Sequence, residues 1–112
     1  MNNMTALRLY FPQSARAKST RFWHHLSAPA LSQRVLHAAH RSGIQQALLH
    51  SVQAGYLPGN KLSHHHIEAA PGQHPICIEL IDAEERLRAF LQEHADELRH
   101  VRAVLFRCEL AL

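Results

Sequence analysis

The sequence has little of several features that would mark a secreted or membrane protein. Its two cysteines, Cys77 and Cys108, are too few for a disulfide framework. No stretch approaches the roughly 20 apolar residues that a membrane-spanning helix needs, and no apolar run of the signal-peptide type follows the first residues. We therefore expect a cytoplasmic protein whose thiols are reduced.

Aromatic residues are also scarce, at 6% of the 112 residues, and the formal net charge is small, at +3. So small a positive charge gives little reason to expect a polyanionic partner. The hydrophobic fraction of 46% is nevertheless high enough for a packed core, which argues against wholesale disorder. A chain of this length forms one domain, so we treat residues 1–112 as a single folding unit.

Hydrophobic patterning predicts four strands and two helices. The strand at 75–81 is nearly all apolar, which is typical of a strand buried on both faces. Asp82 directly after it is a candidate N-cap, and Gly43 is a candidate C-cap. In chain order, the predicted elements are strand 7–11, a helix from Ser27 or Ala28 to Gly43, strand 44–52, strand 75–81, helix 83–98 and strand 101–108.

This order, β-α-β-β-α-β, predicts an α+β fold of the ferredoxin-like sandwich type. Two right-handed βαβ units interleave to give an antiparallel sheet with strand order 4-1-3-2 and both helices on one face. The first and third strands are then central, where the most apolar strands belong. Long loops are expected at 13–27 and 56–73.

Alternation along the strands predicts which side chains lie on the open face, meaning the sheet face that the helices leave uncovered. A face meant only for water would carry fewer large apolar groups, so we expect another subunit to cover it. Arg8 and Glu79 lie on neighbouring strands and are placed to pair there. The predicted open face contains Arg8, Tyr10, Cys77, Glu79, Ile81, Leu105 and Arg107.

Three segments of the chain carry a resemblance to a known family: 31–44 (LSQRVLHAAHRSGI), Gly55-Tyr56, and 75–91 (PICIELIDAEERLRAFL). They resemble the PII-like family catalogued as domain of unknown function 190. Its pattern has a helix that closes on a glycine and a strand leading to Gly-Phe-Gly. A histidine-bearing loop and Pro-(apolar)-Glu-(apolar)-Asp before an acidic helix start then follow. The segment 75–91 is the most specific of the three.

The resemblance implies a homotrimer in which the open sheet faces meet around a threefold axis. It also implies a regulatory or sensor protein rather than an enzyme. Such a protein would bind a small effector, with an adenine nucleotide as one candidate, at the clefts between subunits. The 56–73 loop would signal to a partner, for which the family's PII-like form suggests a membrane transporter or channel.

The second strand departs from the family pattern. Family members typically carry Gly-Ala-Thr-Val-x-Arg-Gly there, whereas residues 46–52 read Gln-Ala-Leu-Leu-His-Ser-Val, and the last glycine of Gly-Phe-Gly is Leu57. An arginine is the natural partner of a phosphate, and glycines let backbone N–H groups approach one. The departure therefore predicts a divergent member in which nucleotide binding is changed or lost.

The candidate effector-binding residues form two groups. Arg16, Lys18 and Arg21 are a small cluster of positive charge that suits a phosphate or another anion. Gly55 and Tyr56 lie at the base of the predicted loop, where they would line a cleft between subunits. The competing interpretations are ordinary surface charge for the cluster and a backbone turn for Gly55.

The histidine-rich run at 64–68 supports an alternative function. Alternate residues of an extended chain share a side, so His64, His66 and Glu68 align. Two imidazoles and a carboxylate suit a divalent metal such as Zn²⁺, Ni²⁺ or Fe²⁺. The chain would then be a metal-binding or metal-tolerance protein. The competing interpretation is a solvated loop whose histidines bind nothing specific.

Two further function classes find no support. The RNA recognition motif shares this order of elements, but it needs exposed aromatic side chains on the third strand. The strand at 75–81 has none, so we expect no nucleic-acid partner. The chain also has no convincing general acid–base pair, so we expect no catalytic residues.

Overall fold

The structure, a computed structural model, describes residues 3–17, 30–65 and 71–112. It is an α+β fold in which helices pack against an antiparallel sheet. The elements are β1 (Asn3–Pro12), α1 (Leu31–Arg41), β2 (Gln46–Ser51), β3 (Ala54–Gly55), β4 (Ser63–His64), a 3-10 turn (Pro71–Gln73), β5 (Pro75–Asp82), α2 (Glu84–Glu93), α3 (Ala95–Leu98) and β6 (Arg102–Glu109).

The four long strands form one sheet in the order β2-β5-β1-β6, and each neighbouring pair is antiparallel. The short strands β3 and β4 pair with each other in a separate sheet. The predicted order 4-1-3-2 counted four strands and does not match this numbering. With all six described strands numbered along the chain, the four strands of the large sheet read β6-β1-β5-β2. The sequence did not reveal β3 and β4 because two-residue strands are too short to show alternation.

The hydrophobic core lies between this sheet and the helices. Leu7 and Leu9 of β1 stand opposite Leu80 and Ile78 of β5, and all four side chains are fully buried. Strand residues two apart point the same way, so these four cover one face of the sheet. The helices complete the same cluster with Val35, Ala38, Ala39, Leu87 and Phe90. Helices α1 and α2 therefore pack on one face of the sheet.

The end of α1 shows how the local sequence fixes a turn. Gly43 has a φ of +75°, a conformation that costs glycine little because it has no Cβ. Its N–H donates to the carbonyl of His40, and the N–H of Ile44 donates to the carbonyl of Ala39, both at 3.1 Å. These two bonds are the Schellman pattern, in which a glycine just past the helix ends it.

Several predicted boundaries change. β1 is longer than predicted, and it runs from Asn3 to Pro12. α1 begins at Leu31, whereas Ser27 and Ala28 lie outside the described residues. The predicted helix 83–98 is divided into α2 and α3 at His94, whose backbone leaves helical geometry at φ −108° and ψ 20°.

The buried residue Asp82 ends β5, and it is only 1% exposed. The prediction that Asp82 caps α2 is wrong, because Ala83 occupies the cap position and no side chain caps it. The Asp82 carboxylate instead accepts hydrogen bonds from the backbone N–H groups of Gln45 at 3.0 Å and Ala83 at 2.6 Å. A buried carboxylate needs such donors, because desolvating an unpaired charge is costly.

Arg86 completes this arrangement from the first turns of α2. Its Nη1 lies 3.3 Å from Oδ2 of Asp82. Its Nη2 donates to the carbonyls of Ser42 at 3.0 Å and Gly43 at 3.2 Å. Asp82 and Arg86 together therefore tie the start of α2 to the turn between α1 and β2.

The open face matches the prediction on β1 and β5 but not on β6. Leu105 stands opposite the buried Leu7 and packs against the core, so it faces the helices. Arg107 lies on the same side and binds Glu84 of α2 at 3.0 Å. The prediction placed both outward because β6 carries apolar residues on both faces, and alternation alone cannot choose between them. Val104 and Phe106 take the open-face positions instead.

We expect Asp82→Ala to lower the free energy of unfolding by about 2–4 kcal/mol, because it leaves Gln45 N–H and Arg86 without their carboxylate partner. Urea denaturation measures the change. Glu85→Ala is the matched control, since Glu85 is an exposed carboxylate in the first turn of α2, and it should shift stability by less than about 0.5 kcal/mol. Equal effects of the two substitutions would contradict the role assigned to Asp82.

Candidate functional site

A cleft of about 370 Å³ lies at one end of the sheet, where three segments meet. One side comes from the end of β1, the second from the turn between β3 and β4, and the third from the segment between α3 and β6. Its volume is in the range of small-molecule sites. The cleft is lined by Tyr10, Pro12, Leu57, Pro58, Asn60, Arg99, His100, Val101 and Arg102.

The turn at 57–60 forms the second side of the cleft, and its sequence explains its shape. The N–H of Asn60 donates to the carbonyl of Leu57 at 3.0 Å, and Gly59 has a φ of +83°. Proline followed by glycine favours a type II turn, because proline presets the first φ and glycine accepts a positive second φ. The turn therefore presents Leu57, Pro58 and Asn60 to the cleft in a defined geometry.

The third side of the cleft is basic. Arg99, His100 and Arg102 are exposed, and none of the described residues that line the cleft is an aspartate or a glutamate. Elsewhere in the described part of the chain, Arg8, Arg34, Arg86, Arg88 and Arg107 pair with carboxylates. Arg99 and Arg102 belong to none of these pairs. Two guanidinium groups at this cleft, with no carboxylate among its described lining residues, favour an anionic ligand.

The cleft adjoins the open face of the sheet. Tyr10 and Arg102 stand opposite each other in the β1–β6 register, and both side chains lie on the side away from the helices. Both residues also line the cleft. A second subunit seated on the open face would therefore border the cleft.

A larger cleft of about 720 Å³ lies at the opposite end of the sheet, and its charge is reversed. Glu84, Glu85 and Glu109 line it. Hydrogen bonds from Arg88 at 2.8 Å and Arg107 at 3.0 Å lower the pKa of Glu84. Glu84 therefore stays ionised at neutral pH, and Arg107 is already paired with Glu84. We call this the acidic cleft, and the cleft lined by Arg99, His100 and Arg102 the basic cleft. The acidic cleft suits an anion less well than the basic cleft does.

The β3–β4 hairpin that carries the 57–60 turn is joined to β5 through a buried pair of side chains. Nδ1 of His74 lies 2.7 Å from Oγ of Ser63, and Nε2 of His74 contacts the carbonyl oxygen of Val52. The N–H of His65 also donates to the carbonyl of Gln53 at 2.7 Å. The hairpin is thus fixed at its base.

Of the residues predicted to bind an effector, the structure describes Gly55, Tyr56 and Arg16, and these three do not line the basic cleft. Gly55 ends β3, and Tyr56 is exposed directly before the cleft-lining turn. Arg16 instead forms a β-bridge with Ala30 near the start of α1 and does not line the basic cleft. Lys18 and Arg21 lie outside the described residues. The effector roles of all five residues stay predictions.

The predicted metal ligands are described only in part. His64 is an exposed residue of β4, whereas His66 and Glu68 fall in the 66–70 gap of the structure. Residues 3–17, 30–65 and 71–112 contain no group of three or more histidine, cysteine, aspartate or glutamate side chains that could hold a metal ion. The metal site therefore stays a prediction.

The open face combines a charged pair with exposed apolar groups. Arg8 donates from Nε to Oε2 of Glu79 at 2.8 Å, so their predicted pairing is confirmed. This bond raises the pKa of the Arg8 guanidinium, which also lies 5.0 Å from the ring centre of Phe106. Phe106 is 43% exposed and Leu48 is 47% exposed on this face.

Sequence reasoning missed the basic group at 99–102 and the buried Ser63–His74 pair. The cluster Arg99-His100-Val101-Arg102 is a visible local signal, since three of four consecutive residues are basic. The cleft itself has no sequence signal, because its three sides are far apart in the chain. His74 lies directly before the apolar strand, but its partners Ser63 and Val52 become neighbours only in the fold.

The chain belongs to the DUF190 family, described as an uncharacterized ACR, whose family model matches residues 4–110. This match confirms the resemblance found in the sequence. Among curated proteins, none is similar enough in sequence to count as a match. Within the described residues, no helix is long and apolar enough to cross a membrane.

Solved structures of PII-like proteins share the fold. One is CPII from Thiomonas intermedia K12, a nitrogen regulatory PII-like protein bound to ADP, AMP and bicarbonate. Its sequence is 11% identical to this one. The aligned region covers 96% of this chain and 92% of the Thiomonas chain, with a TM-score of 0.54. Another, from Thermus thermophilus, is provisionally named a PII-like signaling protein. Its sequence is 14% identical to this one. The aligned region covers 97% of this chain and 88% of the Thermus chain, also with a TM-score of 0.54.

Proposed function

We propose that the protein is a PII-like regulator that binds a small anionic effector in the basic cleft without turning it over. The observation that carries the proposal is the placement of Arg99, His100 and Arg102 at a cleft whose described lining residues include no carboxylate. The ligands of the Thiomonas protein, ADP, AMP and bicarbonate, are all anions, which supports this choice. An adenine nucleotide is therefore the first effector to test.

We also propose that the protein is a homotrimer assembled through the open face. Leu48 and Phe106 expose apolar surface there, whose burial against another subunit would be favourable. Arg8 and Glu79 satisfy each other within one subunit, so assembly would not leave either charge unpaired. The effector cleft at the rim of this face would then lie between subunits.

Signalling would run through the 56–73 loop. The turn at 57–60 belongs to this loop and also lines the basic cleft. A bound anion would therefore contact the same segment that meets a partner. A membrane transporter or channel as that partner, and a cytoplasmic location, stay predictions from the sequence.

We expect the double substitution Arg99→Ala/Arg102→Ala to weaken ADP binding by more than about 100-fold, since two charge-assisted hydrogen bonds are lost and each is worth about 1.5–3 kcal/mol. Isothermal titration calorimetry at two salt concentrations measures the change. Binding to the natural chain should weaken as salt rises, because exposed charges are screened.

Two single variants make this experiment decisive. Arg41→Ala removes an exposed arginine from the last turn of α1, away from the basic cleft, and should leave ADP affinity unchanged. Arg16→Ala tests the cluster that the sequence suggested. A loss of affinity in Arg16→Ala with none in the Arg99/Arg102 double variant would overturn the basic cleft as the site.

The trimer proposal can be tested with two neighbouring leucines on opposite faces of β2. Leu48 is 47% exposed on the open face, and Leu49 is 40% exposed on the helix side. We expect Leu48→Asp to dissociate the trimer, because a buried unpaired carboxylate is costly, and Leu49→Asp to leave it intact. Sedimentation velocity measures the assembly. A natural chain that is monomeric at high concentration would contradict the proposal outright.

A further inference from the structure

His74 occupies a position that neither the family resemblance nor the basic cleft explains. It lies directly before β5 and is 5% exposed, and its partner Ser63 is 7% exposed. Histidine is seldom so completely buried unless its ring nitrogens are bonded. Both ring nitrogens are used here, one by Ser63 and one by Val52.

The partners fix the chemistry of the ring. The carbonyl oxygen of Val52 can only accept a hydrogen bond, so Nε2 of His74 must carry a proton. In the neutral ring, Nδ1 then accepts, and the hydroxyl of Ser63 donates to it at 2.7 Å. The carbonyl of Gly55 is a weaker alternative acceptor for this hydroxyl, because it lies 3.4 Å away. One ring thus joins the segment after β2 to the strand β4.

The backbone of His74 and of the next residue pairs with the chain at the end of β1. The carbonyl of His74 accepts a hydrogen bond from the N–H of Gln13 at 2.8 Å, and the next residue, Pro75, pairs with Pro12 of β1. Pro12 also lines the basic cleft. The contacts of His74 therefore fix the position of the β3–β4 hairpin relative to β1. The hairpin carries one side of the basic cleft, and the end of β1 forms another.

We propose that His74 and Ser63 are positioning residues that hold the β3–β4 hairpin, and with it the 57–60 turn, against the end of the β1–β5 pair. The role in effector binding depends on the proposed function, whereas the role in holding the hairpin does not. Loss of this pair would release the turn without unfolding the core, because the hydrogen bonds of the two side chains go to each other, to Gly55 of the hairpin and to Val52 just before it.

The first test is amide hydrogen exchange measured by NMR on the full chain. Ser63→Ala should speed exchange of the His65 amide, which bonds the carbonyl of Gln53, by at least about fivefold, as the loss of one hydrogen bond predicts. Amides of β5 should not change. Ser51→Ala, at an exposed serine of β2, is the matched control. Unchanged exchange at His65 would overturn the proposal.

His74 has its own spectroscopic and rescue tests. The ring nitrogens of the natural chain should show the Nε2–H tautomer, and the opposite tautomer would contradict the assigned bonds. His74→Gln retains an amide donor for the Val52 carbonyl and should exchange more slowly at His65 than His74→Met, which has a similar size but no donor. Equal exchange in the two variants would show that bulk alone holds the hairpin and would overturn the role of the hydrogen bond.

ADP titration then links the hairpin to the cleft. Ser63→Ala should weaken ADP binding several-fold while the midpoint of urea unfolding stays near that of the natural chain. Faster exchange at His65 with unchanged ADP affinity would show that the pair holds the hairpin but does not position the cleft. If the natural chain does not bind ADP, the proposed function fails, and hydrogen exchange alone decides whether His74 and Ser63 hold the hairpin.

Discussion

The central strand β5 is fixed by a buried polar side chain at each end. His74 precedes the strand and binds Ser63 and the Val52 carbonyl, whereas Asp82 ends it and binds the N–H of Gln45. Loss of the partners of Asp82 would destabilise the fold, whereas loss of the partners of His74 would release the β3–β4 hairpin. Each therefore specifies where a neighbouring segment must lie, which apolar packing alone does less sharply.

The basic cleft follows from this arrangement of strands. Its sides come from residues near positions 10, 58 and 100, which no local sequence pattern brings together. The antiparallel β1–β6 register places Tyr10 opposite Arg102, and the hairpin reaches the same end of the sheet from the other side. The acidic cleft forms at the far end of the same strands. The described residues that line the two clefts therefore differ in charge, which favours an anion at the basic cleft.

The sequence predicted features that depend on local patterns and missed those that depend on tertiary contacts. Alternation correctly placed Arg8 beside Glu79, and the glycine rule correctly ended α1 at Gly43. Asp82 looks like a helix cap in sequence, yet its carboxylate serves Gln45, which is 37 positions away. Leu105 was misplaced because an edge strand with apolar residues on both faces does not reveal its phase. The cleft could not be predicted from the sequence, because its three sides meet only through tertiary contacts.

Assembly and effector binding are physically linked if both proposals hold. Tyr10 and Arg102 belong to the open face and to the lining of the basic cleft, so a subunit on that face alters the surroundings of a bound anion. Linkage then requires reciprocity, because an effector that binds the trimer more tightly must stabilise the trimer by the same factor. The 57–60 turn lines the same cleft from the loop side and would contact the same ligand. A single anion would thus bias both the oligomer and the loop.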